Sequence, residues 1–221
     1  MTASPDHLVP FSLTFVEYNP SDPISFMFAF ITLSPLALIV SYVSIIFARR
    51  EIATINMFIG QVICEVVSFG LKRWIKEKRP NDKIGYGMPS SHAQFVSYFS
   101  IFAILYLFTR ITFRDISLKY LISLILIGFM IIVSYSRIYL NYHTSKQIIV
   151  GNIAGILFAI GWFILIENIL RPLGVFDLIV NSEIAKYFYL RDSSNNENII
   201  RIEYTNWVEL NKKKNSERKK K

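Results

Sequence analysis

Five apolar runs, separated by short polar segments, dominate the chain. They cover residues 24–48, 52–71, 92–109, 120–135 and 148–166. Each is close to the roughly 20 residues that a helix needs to cross a bilayer, and a helix satisfies its backbone hydrogen bonds internally. The pattern therefore predicts an all-α fold, a polytopic membrane helical bundle with about five transmembrane helices. Close packing of the last helix is predicted by its glycines, Gly151, Gly155 and Gly161.

The polar segments divide the chain into three parts. Residues 1–23 carry acidic side chains and no Lys or Arg, residues 24–170 hold the spans, and residues 171–221 end in a lysine-rich run. The stretch 173–190 is apolar but interrupted by charges, which predicts one amphipathic helix at the membrane interface rather than a sixth span. Residues 191–221 are polar and are expected to be flexible.

The net charge of +8 is compatible with two kinds of partner, nucleic acid and anionic lipid. Uncharged runs of this length have no ready place in a nucleic-acid module, so the expected partner is the bilayer and not nucleic acid. Cys64 is the one cysteine, which excludes a disulfide within the chain. Neither the charge nor the apolar pattern bears on the oligomeric state.

An odd number of spans puts the two ends of the chain on opposite faces of the membrane. The polar segments 72–90 and 136–147 then share the face of the N-terminus, because two spans separate them. Basic residues are retained in the cytoplasm. The base-free N-terminal segment and the cationic tail therefore predict a cytosolic tail and polar segments that face the outside or a lumen.

Reactive side chains are concentrated in three short stretches beside the apolar runs, at 72–80, 89–92 and 136–143. The guanidinium groups of Arg79 and Arg137 suit phosphate oxygens, and Lys72 adds a point charge. Ser90 and Ser91 offer hydroxyls and backbone N–H groups at the start of a helix, where anions bind. These five residues are the candidate phosphate ligands. Cations at the level of lipid headgroups are the better interpretation of Lys76, Lys78 and Lys83.

Two of the three histidines fall in these stretches. One imidazole can attack phosphorus while the other protonates the leaving oxygen. His143 would open the last span, where a helix N-terminus disfavours imidazolium and keeps the ring neutral and nucleophilic. His92, beside the serines, is then placed to be the acid. His7 has no such neighbours and is interpreted as incidental.

Carboxylates are sparse around these residues. Glu77 and Asp82 are isolated in a basic loop, so neither a two-metal site nor another cofactor is expected. Stabilisation of charge is then left to the cations and the N–H groups. Glu65 lies in the middle of a span, where an ionisable group is costly. Glu65 has two possible interpretations, a functional role and a local hydrogen bond, and the sequence does not decide between them.

Taken together, the three stretches resemble the tripartite signature of the type 2 phosphatidic acid phosphatase superfamily. The strings GYGMPSSH at 85–92 and VSYSR at 133–137 are similar to the branch that acts on dolichyl diphosphate. The resemblance, which covers nearly the whole chain apart from the lysine tail, implies a metal-independent phosphatase with a phosphohistidine intermediate. It implies that His143 is the nucleophile and His92 the acid, with Arg137 in the catalytic group. The implied phosphate ligands are Lys72, Arg79, Ser90, Arg137 and the backbone N–H of Ser91.

Two positions depart from the superfamily pattern. Ser91 stands where many members have glycine, a change that keeps a backbone N–H contact. Gln147 stands where many members have aspartate, four residues after the nucleophile. It can orient His143 by accepting from Nδ1, and with Thr144 it forms a capping-box pattern that would start the last helix. Both roles are open.

The implied reaction is hydrolysis of dolichyl diphosphate to dolichyl phosphate and phosphate. The resemblance places it on the lumenal face of the endoplasmic reticulum membrane, where it would recycle the lipid carrier of protein N-glycosylation. Lys219, third from the end, fits a cytosolic dilysine-type retrieval signal, although lysine-rich tails also bind anionic headgroups unaided. One alternative is a phosphatase of phosphatidate, sphingoid-base phosphate or another isoprenoid phosphate. Another is an inactive lipid-binding protein.

Overall fold

The computed structural model of the protein describes residues 9–11, 16–80, 85–113, 115–194 and 199–218. Five helical segments in these ranges are long and apolar enough to cross a membrane, which confirms the prediction of a five-span helical bundle. Their bounds are Pro23–Arg49, Ile52–Ile75, Ser91–Arg110, Ser117–Tyr139 and Ser145–Leu170. Two short strands precede them, β1 (Val9–Phe11) and β2 (Val16–Tyr18), which pair antiparallel with Pro10 opposite Glu17.

The first span consists of two helices, although the sequence predicts one continuous run. These helices are α1 (Pro23–Ile31) and α2 (Ser34–Arg49), and Thr32 and Leu33 lie between them. Pro35 sits in the first turn of α2. Because proline has no N–H, it cannot donate to the carbonyl one turn earlier, and the ladder of hydrogen bonds stops there. Thr32, a buried polar residue, lies at this break inside the span.

The next three spans are single helices that continue past their apolar runs: α3 (Ile52–Ile75), α4 (Ser91–Arg110) and α5 (Ser117–Tyr139). Lys72 lies in the last turn of α3, and Arg137 lies in the last turn of α5. Cations are favourable at this end of a helix, where unpaired carbonyls carry partial negative charge. Two candidate site residues that the apolar pattern placed in loops are thus held by helices.

The fifth span is α6 (Ser145–Ile164), which passes into a π-helical turn at Leu165–Leu170. Glu167 in this turn is largely buried and bonds Arg110 of α4 and Arg171. Arg171 also bonds Asp192, at 2.5 Å. This end of the bundle is therefore closed by ion pairs.

The C-terminal part contains α7 (Val175–Asn181), α8 (Glu183–Tyr187) and α9 (Ile199–Arg218). The prediction of one helix over 173–190 was wrong, because Ser182 has extended backbone and caps α8 by accepting from the N–H of Ala185. The prediction that residues 191–221 are flexible was also wrong over α9, where Glu203 bonds Arg49 and Arg191. Lys219 lies outside the described residues.

The N-terminal strands and the polar segments meet at the end of the bundle opposite these ion pairs. Tyr139 donates to Asp22 at 2.6 Å, and the N–H of Glu17 donates to the hydroxyl of Tyr142. The backbone N–H of Ser90 donates to the carbonyl of Gln147 at 3.1 Å. The prediction that segments 72–90 and 136–147 share the end of the N-terminus is therefore confirmed.

Helix α4 is the centre of the bundle, and its contact with α6 depends on two glycines. A Cβ at Gly155 would lie 2.3 Å from the carbonyl oxygen of Gln94, and one at Gly151 would lie 2.7 Å from that of Ser90. The predicted close packing is confirmed for these two residues. It was wrong for Gly161, whose Cβ would meet no atom of the described residues within 4 Å.

We expect Gly155→Ala to destabilise the protein by about 1–3 kcal/mol, because the new methyl group overlaps a backbone carbonyl and forces α4 and α6 apart. Gly161→Ala is the matched control, and we expect it to be neutral or to stabilise by up to about 1 kcal/mol, the difference in helix propensity. Thermal unfolding of the detergent-solubilised variants measures both effects. Equal changes in melting temperature would contradict the proposed role of the α4–α6 contact.

Candidate active site

Lys72 links the end of α3 to the start of α4. Its ammonium group donates to the hydroxyl of Ser91, and that hydroxyl lies 3.2 Å from the hydroxyl of Ser68. The carboxylate of Glu65, two turns before Lys72, is also bonded to Ser91. Glu65 therefore has a local polar partner, which was one of its two interpretations. An apolar cavity of about 430 Å³ opens between α2, α3 and α4, and Glu65 is part of its wall.

The loop after α3 folds back towards α4. Lys76 ends the helix in the left-handed conformation, with φ 55°, and Lys78 pairs with Tyr86 across the loop. Arg79 donates from Nε to the carbonyl of Tyr86 at 3.5 Å. Burial lowers the pKa of Arg79 below its ordinary value. Lys76 and Lys78 are exposed, and Lys83 lies outside the described residues.

Ser90 caps the N-terminus of α4 through its position rather than through its side chain. The residue is fully buried, and its hydroxyl has no hydrogen-bond partner among the described residues. The first backbone N–H groups of a helix also lack intrahelical partners. An unpaired buried hydroxyl beside such N–H groups is a suitable site for an anion.

Arg137 is buried, with 4% of its surface exposed, in the last turn of α5. It donates from Nη1 to the hydroxyl of Thr32 at 3.4 Å, and its guanidinium lies 4.1 Å from the ring centre of Tyr142. Its Nε has no partner among the described residues. Sequence reasoning missed Thr32, because a threonine in an apolar run gives no signal of function. It contacts Arg137 from the break between α1 and α2.

His143 is 3% exposed and directly follows the turn that ends α5. Its backbone N–H donates to the carbonyl of Arg137 at 3.2 Å, and its Nδ1 lies 3.2 Å from Oε1 of Gln147. Burial, aided by the charges of Arg137 and Arg79, lowers the pKa of His143 to about 3. The ring is therefore neutral at neutral pH. The prediction of a neutral ring agrees with the direction of this shift, but burial rather than a helix dipole is its main cause.

His92 is the second residue of α4 and is partly buried. It interacts electrostatically with His143 and with the cations of the site, Lys72, Arg79 and Arg137. All three sequence stretches thus meet in one place. Two imidazoles, three cations and unpaired donors lie close together at the ends of four spans, an arrangement that can bind a phosphate group beside a neutral nucleophile.

Gln147 makes the contacts expected for both of its open roles, orienting His143 and capping α6. The Thr144 hydroxyl accepts from the N–H of Gln147 at 3.3 Å, and Oε1 of Gln147 accepts from the N–H of Thr144, which completes the capping box. The same Oε1 contacts His143. The Gln147 side chain also donates to Glu77 at 3.0 Å. Sequence reasoning had left Glu77 isolated, because 70 residues separate it from Gln147.

The model of the PAP2 superfamily matches residues 15–171 of this chain. The five-span bundle and the site at one of its ends agree with that match, and the chain belongs to the PAP2 superfamily.

Proteins named dolichyldiphosphatase are similar to the chain over most of its length. Dolichyldiphosphatase 1 of Dictyostelium discoideum is 42% identical over 88% of this chain and 87% of its own. The human protein of that name is 39% identical over 89% of this chain and 87% of its own. The dolichyldiphosphatase of Saccharomyces cerevisiae is 32% identical over 86% of this chain and 83% of its own.

A crystal structure supports the fold. It is that of a transmembrane PAP2 type phosphatidylglycerolphosphate phosphatase from Bacillus subtilis, with a TM-score of 0.57 and 21% sequence identity. The similarity covers 67% of this chain and 79% of the bacterial chain. At this level of identity it bears on the fold alone.

We expect His143 to make the protein less stable in acid. Its pKa is about 3 in the folded state and 6.5 ordinarily, so between these values the unfolded chain binds a proton that the folded protein does not. Stability therefore falls as pH falls through this window, by about 1.4 kcal/mol per pH unit at most. In His143→Asn this contribution is absent. Between pH 7 and pH 5 the parent should lose about 2 kcal/mol more than the variant in denaturant unfolding. Parallel pH curves for the two proteins would contradict this account.

Proposed function

We propose that this protein is a dolichyldiphosphatase, which hydrolyses dolichyl diphosphate to dolichyl phosphate and phosphate. The observation that carries the proposal is the convergence of a neutral, buried His143 with three cations from two separate stretches, Lys72, Arg79 and Arg137. The names of the relatives in Dictyostelium discoideum, human and yeast support the choice of substrate. The five apolar spans support a substrate that is itself embedded in lipid.

The terminal phosphate of the substrate binds between α4 and the cations. Arg79 and Arg137 face its oxygens as planar donors, and Lys72 adds a third charge from α3. The buried hydroxyl of Ser90 and the backbone N–H of Ser91 complete the set from the start of α4. Each of these groups is a donor or a cation, so they stabilise the extra negative charge that the phosphoryl group carries as it is transferred.

Hydrolysis proceeds in two steps through the histidines. Nε2 of His143 attacks the terminal phosphorus, the phosphoanhydride bond breaks, and His92 protonates the departing oxygen of dolichyl phosphate. Water then attacks the phosphohistidine, with His92 accepting its proton, and phosphate leaves. No metal or other cofactor takes part. The cations of the site supply the charge stabilisation that a metal ion provides in other phosphatases.

The site faces the lumen of the endoplasmic reticulum, and the C-terminal tail lies in the cytosol. Strand β2, from the base-free N-terminal segment, is on the same side as the site, and the basic helix α9 is on the other. This agrees with the retention of positive charge in the cytoplasm. Residues 1–23 are then the lumenal segment, 24–170 the phosphatase domain, and 171–221 the cytosolic part. In this position the enzyme recycles the lipid carrier of protein N-glycosylation after glycan transfer.

A panel of lipid phosphates tests the substrate. We expect kcat/KM for dolichyl diphosphate to exceed that for phosphatidate by at least about tenfold. Dolichyl phosphate, which has the same tail, is the matched control. It should react more slowly than the diphosphate because its leaving group is an alcohol rather than a phosphate. Faster turnover of phosphatidate or of a sphingoid-base phosphate would overturn the assignment of substrate.

Substitution of the histidines tests the mechanism. His143→Asn should abolish phosphate release and the labelled phosphoenzyme, because it removes the attacking nitrogen. His92→Asn should slow the lipid reaction by about 10²–10⁴, the usual contribution of a general acid. His92→Asn should slow the hydrolysis of 4-nitrophenyl phosphate much less, because the 4-nitrophenolate leaving group needs no proton. His7→Asn is the control, with activity near that of the parent. Phosphate release by His143→Asn at the parent rate would refute the phosphohistidine.

A further inference from the structure

Glu77 lies behind the histidine site rather than in it. One oxygen of its carboxylate accepts from Nε2 of Gln147 at 3.0 Å, and the other lies 3.3 Å from Nζ of Lys146. The Gln147 side chain in turn contacts Nδ1 of His143. A chain of contacts therefore runs from a carboxylate, through a buried amide, to the proposed nucleophile.

The backbone around Glu77 is built to hold this contact. The carbonyl of Glu77 accepts from the N–H of Gly87 at 2.7 Å, and the neighbouring carbonyl of Lys78 accepts from Nε2 of Gln147 at 2.8 Å. A Cβ at Gly87 would lie 2.6–2.8 Å from the Gln147 amide. Glycine at position 87 therefore leaves the space that the amide occupies.

The direction of the Gln147 amide follows from its neighbours. Hydrogen bonding, chiefly from Gln147, holds the pKa of Glu77 below its ordinary value, so this carboxylate is ionised at neutral pH. An ionised carboxylate and a backbone carbonyl can only accept, and the NH₂ group must point to them. The amide oxygen then points to Nδ1 of His143, and an unprotonated Nδ1 would set two lone pairs against each other. Nδ1 of His143 must carry the proton, which leaves the lone pair of the ring on Nε2.

We propose that Glu77 is a positioning residue for His143: through the Gln147 amide, its carboxylate selects the tautomer with the proton on Nδ1 and supplies the negative charge that a neutral amide lacks. This inference rests on the proposed function. It adds a residue 66 positions before the nucleophile, in a loop where the sequence shows an isolated acid among cations.

The charge matters in the first step of the reaction. As the lone pair of Nε2 forms the bond to phosphorus, the electrons of the broken phosphoanhydride bond go to the leaving oxygen, and His92 gives that oxygen its proton. The ring of His143 becomes a cationic phosphohistidine, so its Nδ1–H becomes a stronger donor. The amide oxygen of Gln147, polarised by Glu77, stabilises this cation. Attack of water breaks the P–N bond and returns the ring to its neutral state.

Exchanging the amide and the carboxylate tests this chain of contacts. Three variants are needed: Glu77→Gln, Gln147→Glu and the combination of the two. The assay uses whichever lipid phosphate the parent hydrolyses fastest. Glu77→Gln should lower kcat about tenfold or more, with KM within about twofold. Gln147→Glu should be worse, because two carboxylates then face each other. In that background Glu77→Gln should raise kcat, since an amide donor again meets a carboxylate.

The decisive result is that Glu77→Gln lowers kcat in the parent but raises it in the Gln147→Glu variant. A Glu77→Gln effect in the same direction in both, or no effect in the parent, would overturn the proposal. Glu183→Gln is the matched control, because Glu183 also pairs with a lysine, Lys186, but is 90% exposed and remote from the site. It should leave kcat unchanged.

The tautomer of His143 gives a second test, which needs no active-site variant. The ¹⁵N signals of its ring in the parent should show a protonated Nδ1 and an unprotonated Nε2, and a proton on Nε2 would overturn the proposal even if a variant failed to fold. The tests separate the two inferences. A parent that hydrolyses no lipid phosphate contradicts the proposed function, whereas an active parent with the other tautomer contradicts the role of Glu77 alone.

Discussion

The close contact between α4 and α6 is the constraint on which the site depends. At Gly151 and Gly155 the backbones of the two helices approach so closely that a methyl group would overlap a carbonyl oxygen. Near the N-termini, the N–H of Ser90 donates to the carbonyl of Gln147. The starts of both helices, which carry partial positive charge, are thereby held side by side at one end of the bundle. One start bears Ser90 and His92, and the other follows His143, so this packing brings two of the three stretches together.

The cationic side chains at the two ends of the bundle have different kinds of hydrogen-bond partner. At one end, guanidinium groups meet carboxylates: Arg110 and Arg171 bond Glu167, and Arg191 bonds Glu51 and Glu203. At the other end Lys146 pairs with Glu77, but the hydrogen bonds of the three site cations go to neutral groups. Lys72 bonds the hydroxyl of Ser91, Arg137 the hydroxyl of Thr32, and Arg79 a backbone carbonyl. Neutral acceptors orient a cation without cancelling its charge. That end is therefore suited to a multiply charged anion, whereas the ion-paired end is suited to holding helices together.

Much of this arrangement could be predicted from sequence, because its signals are local. Runs of about 20 apolar residues indicate spans, and the number of spans between two polar segments decides whether they share a face. The ends of the helices were less predictable. Lys72 and Arg137 look like loop residues by polarity, yet both lie in the last turn of a helix, where positive charge is favourable. Gly161 resembles Gly155 in sequence, but it lies on a face of α6 without close neighbours among the described residues. Contacts such as Glu77–Gln147 and Thr32–Arg137 join positions far apart in the chain, so no periodic pattern in the sequence indicates them.

Gln147 shows how a single neutral side chain can serve both the fold and the chemistry. Its backbone N–H and its amide oxygen complete the cap of α6, so its position is set before any reaction is considered. With its NH₂ group held by Glu77 and Lys78, the amide cannot turn over without placing a donor against Nδ1 of His143 or an oxygen against a carboxylate. A carboxylate at position 147 would lack the NH₂ group and would face Glu77 with like charge. Glutamine at 147 and glutamate at 77 therefore form one unit, in which the amide fixes direction and the acid supplies charge.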